Sequence, residues 1–134
     1  MKFQSIKISE KIHIALRWLS YLAQDKTKKS LSLGEFAIKE KISFYYLQQI
    51  SRKLKQNGLI KAREGSSGGY QLAKAAQKIS LKEIIEAIEG PISLIDCAAN
   101  NCCAQNNCPS KKLWLNLDKK ISDIFSRIKL SEIL

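Results

Sequence analysis

Four cysteines and one histidine are the residues of this 134-residue chain whose types favour metal or redox chemistry. The cysteines, Cys97, Cys102, Cys103 and Cys108, fall close together, and no cysteine lies elsewhere in the chain. A disulfide framework would spread its cysteines over the chain so that they close loops. This cluster therefore predicts a metal site, an iron–sulfur site or a thiol switch.

The spacing of the four cysteines favours an iron–sulfur cluster over zinc. Zinc sites usually take paired C-x2-C hooks, and this segment has none. Cys102 and Cys103 are adjacent, so we expect one of them to bind a cluster together with Cys97 and Cys108. The fourth ligand must come from elsewhere. His13, the one histidine, is a suitable type of ligand, and the alternative is that it is a structural residue of the first helix.

The charge of the chain is strongly positive and unevenly distributed. The net charge is +11, and residues 1–75 contain 15 basic and 5 acidic side chains, whereas residues 76–134 contain 8 and 7. A positive field confined to one half of a chain indicates a polyanionic partner, most often nucleic acid. The alternative is a lysine-rich composition without a binding role.

Sequence patterns in the basic half predict a helix-turn-helix. An amphipathic stripe predicts a first helix over residues 11–24. Ser32 is the predicted N-cap of a short helix over residues 33–39, and Ser43 is the predicted N-cap of the next. That helix ends at Asn57–Gly58. Two short helices after a longer one are typical of this motif.

A predicted β-hairpin follows directly. Residues 59–63 and 70–73 have strand character, and the turn between them is rich in glycine. A helix-turn-helix followed by such a hairpin is a winged helix. The predicted fold class is therefore mainly α with a small β-hairpin wing, extended by a long C-terminal dimerisation helix.

The last predicted helix runs from about Ser110 to Lys129. Its apolar residues recur at alternating intervals of three and four, the pattern of a coiled-coil seam: Trp114, Leu117, Ile121, Ile124 and Ile128. The simplest partner for such a seam is the same helix of a second copy, which predicts a homodimer. The alternative is that the helix packs onto its own domain.

Three regions follow from these patterns. Residues 1–78 form the predicted winged helix-turn-helix DNA-binding domain. Residues 79–109 contain a connecting helix, opened by a capping box at Ser80 and Glu83, and the cysteine loop. Residues 110–134 contain the dimerisation helix and a tail.

Polar and basic side chains of the helix after Ser43 and of the hairpin suit double-stranded DNA. Glutamine can bond adenine bidentately in the major groove, and serine or tyrosine can bond phosphates or base edges. Lysine and arginine suit phosphates or a narrow minor groove. The predicted DNA contacts are Ser43, Tyr45, Tyr46, Gln48, Gln49, Arg52, Lys53, Lys61 and Arg63. The alternative is a solvated helix face.

Several other classes are not expected. No apolar run approaches the roughly 20 residues of a membrane span, and residues 1–10 lack the apolar stretch of a secretory signal. The expectation is a cytoplasmic protein without a membrane partner. No nucleotide-binding glycine loop and no catalytic pair of carboxylates is evident, so we do not expect an enzyme.

The motifs together resemble the winged-helix regulators of the IscR/NsrR type, the Rrf-two family. The resemblance rests on I-S-x-x-Y-L-x-Q over residues 42–49, on G-x-x-G-G-Y-x-L-A over residues 65–73, and on the cysteine loop followed by Leu113–Trp114. It implies a homodimeric transcription factor whose long C-terminal helices cross. In members that bind a cluster, a two-iron or four-iron cluster senses nitric oxide, oxygen, redox state or iron supply and changes DNA binding.

The resemblance also implies roles for single residues. Lys111 stands where IscR-type members have a histidine ligand, and it cannot replace that ligand. NsrR-type members instead use an acidic residue on the first helix of the other subunit, before A-L-R, and His13 occupies a similar place here. The family spacing favours Cys102 over Cys103, and by position Tyr45 and Gln48 would read bases.

Overall fold

Five α-helices and one β-hairpin make up the described part of the chain in this computed structural model, which describes residues 7–25, 30–65, 68–95 and 108–134. Short 3₁₀ turns lie at Ala76–Lys78 and Leu130–Ile133. The mainly α fold with a two-stranded wing confirms the predicted fold class. In chain order the elements are α1 (Glu10–Gln24), α2 (Leu33–Glu40), α3 (Phe44–Gln56), β1 (Ile60–Arg63), β2 (Gly69–Leu72), α4 (Leu81–Glu89) and α5 (Pro109–Arg127).

Helix α1 is the centre of the hydrophobic core. Ser9 caps its N-terminus, because the Ser9 Oγ accepts a hydrogen bond from the Ile12 N–H at 3.3 Å. Its buried residues are Ile12, Ile14, Ala15, Trp18, Leu19 and Leu22. Trp18 is fully buried, stacks on Tyr21, and packs against Phe36 with the two rings tilted by 44°.

The turn between α2 and α3 has a left-handed residue. Lys41, the C-cap of α2, has φ 56° and ψ 43°, and its N–H bonds to the carbonyls of Ala37 and Ile38. The chain then reverses into α3, whose N-cap is Ser43, as predicted. Leu47, Ile50 and Leu54 are buried on the inner face of α3. The spacing predicted for this helix is therefore confirmed.

The wing is an antiparallel hairpin with one additional backbone pair. Ile60 lies opposite Leu72, and Arg63 lies opposite Gly69. The backbones of Leu31 and Tyr70 exchange two hydrogen bonds, of 2.8 and 2.9 Å, which attach the hairpin to the segment before α2. A Cβ atom at Gly69 would lie 2.5 Å from the Leu31 oxygen, so this close approach of two backbones requires glycine.

Helix α5 ends earlier than predicted. It stops at Arg127, because Ile128 adopts an extended conformation with φ −82° and ψ 124°. The Ile128 carbonyl accepts a hydrogen bond from the Leu81 N–H, and the Leu130 N–H donates to the Ile79 carbonyl, each at 2.8 Å. Leu130 is buried in the core. The prediction that Ile128 belongs to the helical seam is therefore wrong, since its backbone pairs with the start of α4.

The apolar side chains of α5 are only partly covered. None of its 19 residues is buried, and Leu113 and Ile124 are more than half exposed. An apolar groove of about 550 Å³ lies between α5, the start of α1 and the end of α4, and Ile12, Ile121 and Phe125 line it. No helix in the described ranges is both long and apolar enough to cross a bilayer.

Candidate nucleic-acid interface and thiol site

One face of α3 presents polar and aromatic side chains to solvent. Tyr45, Gln48, Gln49 and Arg52 follow one another at helical spacing and are all exposed, Tyr45 by 69%. Their amide, hydroxyl and guanidinium groups can donate or accept hydrogen bonds at base edges and phosphates. These four predicted DNA contacts therefore lie on one accessible surface, which we call the α3 face.

Three other predicted DNA contacts of this region have partners within the protein. The Ser43 Oγ accepts from the Tyr46 N–H at 3.4 Å and caps α3. Tyr46 is half-buried against the core, and burial raises the pKa of its hydroxyl, with smaller contributions from the nearby Glu10 and Glu89 carboxylates. The Lys53 Nζ donates to the Ile88 carbonyl at 3.0 Å. Their roles as DNA contacts stay predictions.

The wing supplies two exposed cations. Lys61 and Arg63 are two residues apart on β1, so their side chains leave the same face of the hairpin. The ion pairs found among the described residues join Arg17 with Glu40, Lys74 with Glu83, and Lys82 with Glu86. Lys61 and Arg63 take part in none of them, so both charges are available for phosphates.

Cys108 is the one cysteine among the residues that the structure describes, and it is the N-cap residue of α5. Its Sγ lies 3.0 Å from the Ser110 Oγ. This hydrogen bond is the largest cause of a lowered pKa of the Cys108 thiol, and the backbone N–H and the charge of Lys111 add to it. The surroundings of Cys108 therefore favour the thiolate, which is the form that binds metals.

The other three predicted thiol ligands, Cys97, Cys102 and Cys103, lie outside the described residues. In the described ranges, no three histidine, cysteine, aspartate or glutamate side chains come together as a metal site. The chain is fixed just before this segment, because the Asp118 Oδ1 of α5 accepts from the Leu94 N–H at 2.8 Å. Sequence patterns had not indicated Asp118, since its partner is a backbone group distant in sequence.

His13 is exposed on the first turns of α1. It lines a cleft of about 340 Å³ between α1 and α2, beside the ion pair of Arg17 and Glu40. The start of α1 is also joined to the end of α4, because the Ser9 hydroxyl donates to the Glu89 Oε1 at 2.6 Å. No group of three potential metal ligands among the described residues contains His13. Its role as a ligand stays a prediction.

Solved structures of similar proteins have the same fold. Over 96% of both chains, the structure matches that of CymR (YrzC), the global cysteine regulator of B. subtilis, with a TM-score of 0.76 and 28% identity. It also matches T. potens IscR over 96% of this chain and 86% of that one, with a TM-score of 0.74 and 27% identity.

Sequence comparisons agree with these structures. The HTH-type transcriptional regulator IscR of Erwinia tasmaniensis is 28% identical over 130 residues, which cover 96% of this chain and 79% of the relative. The model of the Rrf2 family, described as iron-dependent transcriptional regulators, matches residues 8–134. The chain therefore belongs to the Rrf2 family and is a DNA-binding transcription regulator.

Proposed function

We propose that this regulator controls transcription through an iron–sulfur cluster bound by its cysteine segment. Cys97, Cys108 and one of the adjacent pair, Cys102 or Cys103, would supply three thiolates. His13 of a second copy would complete the ligand set. When bound, the cluster would supply a redox-active and nitric-oxide-reactive centre of two or four irons.

The observation that carries this proposal is the chemistry of Cys108. Its thiol has a lowered pKa, is accessible, and stands at the N-terminus of a 19-residue helix, whose dipole favours a negative charge. A cluster binds the thiolate form, and the lowered pKa of Cys108 favours that form. The membership of the chain in a family described as iron-dependent supports the same reading.

The route from the cysteine segment to DNA would run through the ends of two helices. The chain enters the segment from the end of α4, and Glu89 there is bonded to Ser9 at the start of α1. A ligand on α1 of the second copy would therefore link the segment to both DNA-binding units. We propose that the regulator acts as a homodimer on double-stranded DNA in the cytoplasm, and that no membrane is involved.

Anaerobic reconstitution tests the cluster directly. The purified protein should become brown, absorb between about 300 and 450 nm, and carry iron and sulfide. Mössbauer spectroscopy would then give the number of irons. A duplex selected by the protein from a randomised pool should bind with different affinity before and after the cluster is removed. A colourless protein, or equal affinity in both states, would contradict the proposal.

The proposed role of His13 needs a separate variant. His13→Ala should shorten the lifetime of the cluster, because one ligand is lost, while the dimer measured by sedimentation stays intact. Arg17→Ala, one turn further along α1, is the matched control and should keep the wild-type cluster lifetime. An unchanged spectrum and lifetime in His13→Ala would remove this residue from the ligand set.

A second candidate function is a cluster-free thiol switch. CymR of B. subtilis, a global cysteine regulator, and the oxidized form of Staphylococcus aureus CymR have the same fold, with TM-scores of 0.76 and 0.70. In this version, Cys102 or Cys103 would form a disulfide with Cys97 or Cys108, or the cysteines would bind zinc. Thiol titration before and after mild oxidation, with a zinc assay, separates this function from cluster binding.

A further inference from the structure

A lysine of α3 supplies the positive charge that pairs with the C-terminal end of α4. The last four carbonyls of a helix have no partner within it, and they carry the negative end of its dipole. Gly90, at φ 86°, closes α4 by donating its N–H to the Glu86 carbonyl, and the last turn contains no basic residue of its own. The Lys53 Nζ of α3 instead donates to the Ile88 carbonyl at 3.0 Å.

This bond lies beside a small void and near charges of both signs. Lys53 and Ile88, with Lys11, Tyr46 and Gln49, line a void of only about 20 Å³. The carboxylates of Glu10 and Glu89 are near enough to contribute to the raised pKa of the Tyr46 hydroxyl. The Lys53 side chain is exposed, so its ammonium pairs with the end of α4 at the surface of the protein.

We propose that Lys53 is a positioning residue that fixes the recognition helix α3 on α4, rather than a phosphate contact. The proposal revises the prediction made for Lys53 from sequence and rests on the proposed function only in treating α3 as the DNA-reading helix. To reach a phosphate, the ammonium would have to leave the Ile88 carbonyl. That would expose the end of α4 and loosen the contact that sets the angle of α3.

Three variants separate a positioning role from a phosphate contact. Lys53→Met retains the apolar stem and removes the donor, whereas Lys53→Arg retains a donor. Arg52→Met is the matched control, because it removes one positive charge from the adjacent, exposed position of the same helix. Without DNA and at equal protein concentration, Lys53→Met should lower the Tm by about 3–5 °C, and Lys53→Arg should restore most of it. Arg52→Met should leave the Tm unchanged.

The salt dependence of DNA binding gives the second readout, on a duplex that the wild-type protein selects from a randomised pool. Removing a phosphate contact lowers the slope of log K against log salt by about 1. We expect that change for Arg52→Met. Lys53→Met should instead weaken binding by about threefold to tenfold with the wild-type slope, a loss that corresponds to roughly one kcal/mol.

A lowered slope for Lys53→Met, or an unchanged Tm, would overturn the proposal. Failure of the wild-type protein to select any duplex would contradict the proposed function instead. In that case the Tm comparison would still decide whether Lys53 caps α4.

Discussion

At the scale of one residue, Gly69 shows that a glycine predicted for a turn can also be required by a contact outside that turn. The glycine-rich turn at the wing tip indicated a tight reversal of the chain. At Gly69 the close approach is to Leu31, a residue outside the hairpin, whose oxygen would lie 2.5 Å from an added Cβ. The sequence of the hairpin alone could not predict that Leu31 lies next to Gly69.

Gly69→Ala should destabilise the protein by about 1–3 kcal/mol, because the new methyl group forces the Leu31 and Tyr70 backbones apart. Urea unfolding would measure the loss. Gly34→Ala is the control, since a Cβ there meets only the Ser32 Oγ at 3.6 Å, and it should gain about 0.5–1 kcal/mol inside α2. Equal stability of the two variants would contradict the close approach at Gly69.

Ser51 is a second residue whose effect on stability can be predicted. Its side chain is fully buried in α3, and its Oγ has no hydrogen-bond partner among the described residues. Ser51→Ala should therefore stabilise the protein by about 1 kcal/mol, because it removes an unsatisfied buried hydroxyl and improves helix propensity. The gain would appear as a higher urea midpoint with unchanged DNA affinity. A loss of stability would show that this hydroxyl has a partner in solution.

Some positions of the site residues follow from local helical spacing, whereas others depend on contacts between distant parts of the chain. The α3 face was predictable, because helical spacing alone places Tyr45, Gln48, Gln49 and Arg52 on one side. The bond from Lys53 to Ile88 was not predictable, since it joins residues 35 positions apart in the chain. Residue type indicated that Lys53 could bind a phosphate but gave no information about a competing carbonyl.

At the scale of the element, the N-terminus of α4 is the most completely satisfied helix end. The Ser80 Oγ accepts from the Glu83 N–H at 3.1 Å, and the Glu83 carboxylate accepts from the Ser80 N–H at 2.9 Å, which confirms the predicted capping box. Lys74 donates to the same carboxylate at 2.5 Å. Burial would raise the pKa of Glu83, but the bonds from Lys74 and Ser80 outweigh it and hold the pKa below its usual value.

This pKa predicts the acid sensitivity of α4. Because the folded state holds the Glu83 pKa below its unfolded value, the stabilisation is present above the unfolded pKa and is lost as the pH falls through the folded pKa. Glu83→Gln should be less stable than wild type near neutral pH, and the difference should shrink in acid. Unfolding midpoints measured from pH 7 to pH 3 would show this. Lys74→Met should reduce the same pH dependence, and a constant difference across the range would contradict the assignment.

Helix ends were predictable where a local cap defines them and were missed where a distant segment does. The predicted N-caps of α2, α3 and α4 are correct, because serine hydroxyls bond backbone groups three residues away. The end of α5 was missed, because Ile128 and Leu130 leave helical geometry to pair with Leu81 and Ile79. No residue near position 128 marks that end.

At the scale of the whole molecule, α5 has an apolar face that the described residues of its own chain leave partly exposed. Leu113 and Ile124 remain 53% and 56% exposed, and Ile121 and Ile124 border the apolar groove beside α1. The predicted seam accounts for this face if a second copy packs against it. The spacing of apolar residues in the sequence indicated the seam. The position of a second copy on it does not follow from a single chain.

Ile124→Asp should convert the dimer to a monomer, because it places a charge in the apolar seam of α5. Analytical ultracentrifugation would measure the change, and circular dichroism should show an intact helical fold. Lys119→Asp, on the opposite side of α5, should stay dimeric. Monomeric wild-type protein at micromolar concentration would contradict the seam.

The buried position of Leu130 also constrains how the protein is made. This side chain closes the core next to Ile79, so the basic DNA-binding half is completed by a residue that the ribosome adds more than fifty positions later. While translation is under way, the nascent winged helix lacks this last piece of its core. The winged helix thus completes its core only after the thiol segment has also been synthesised.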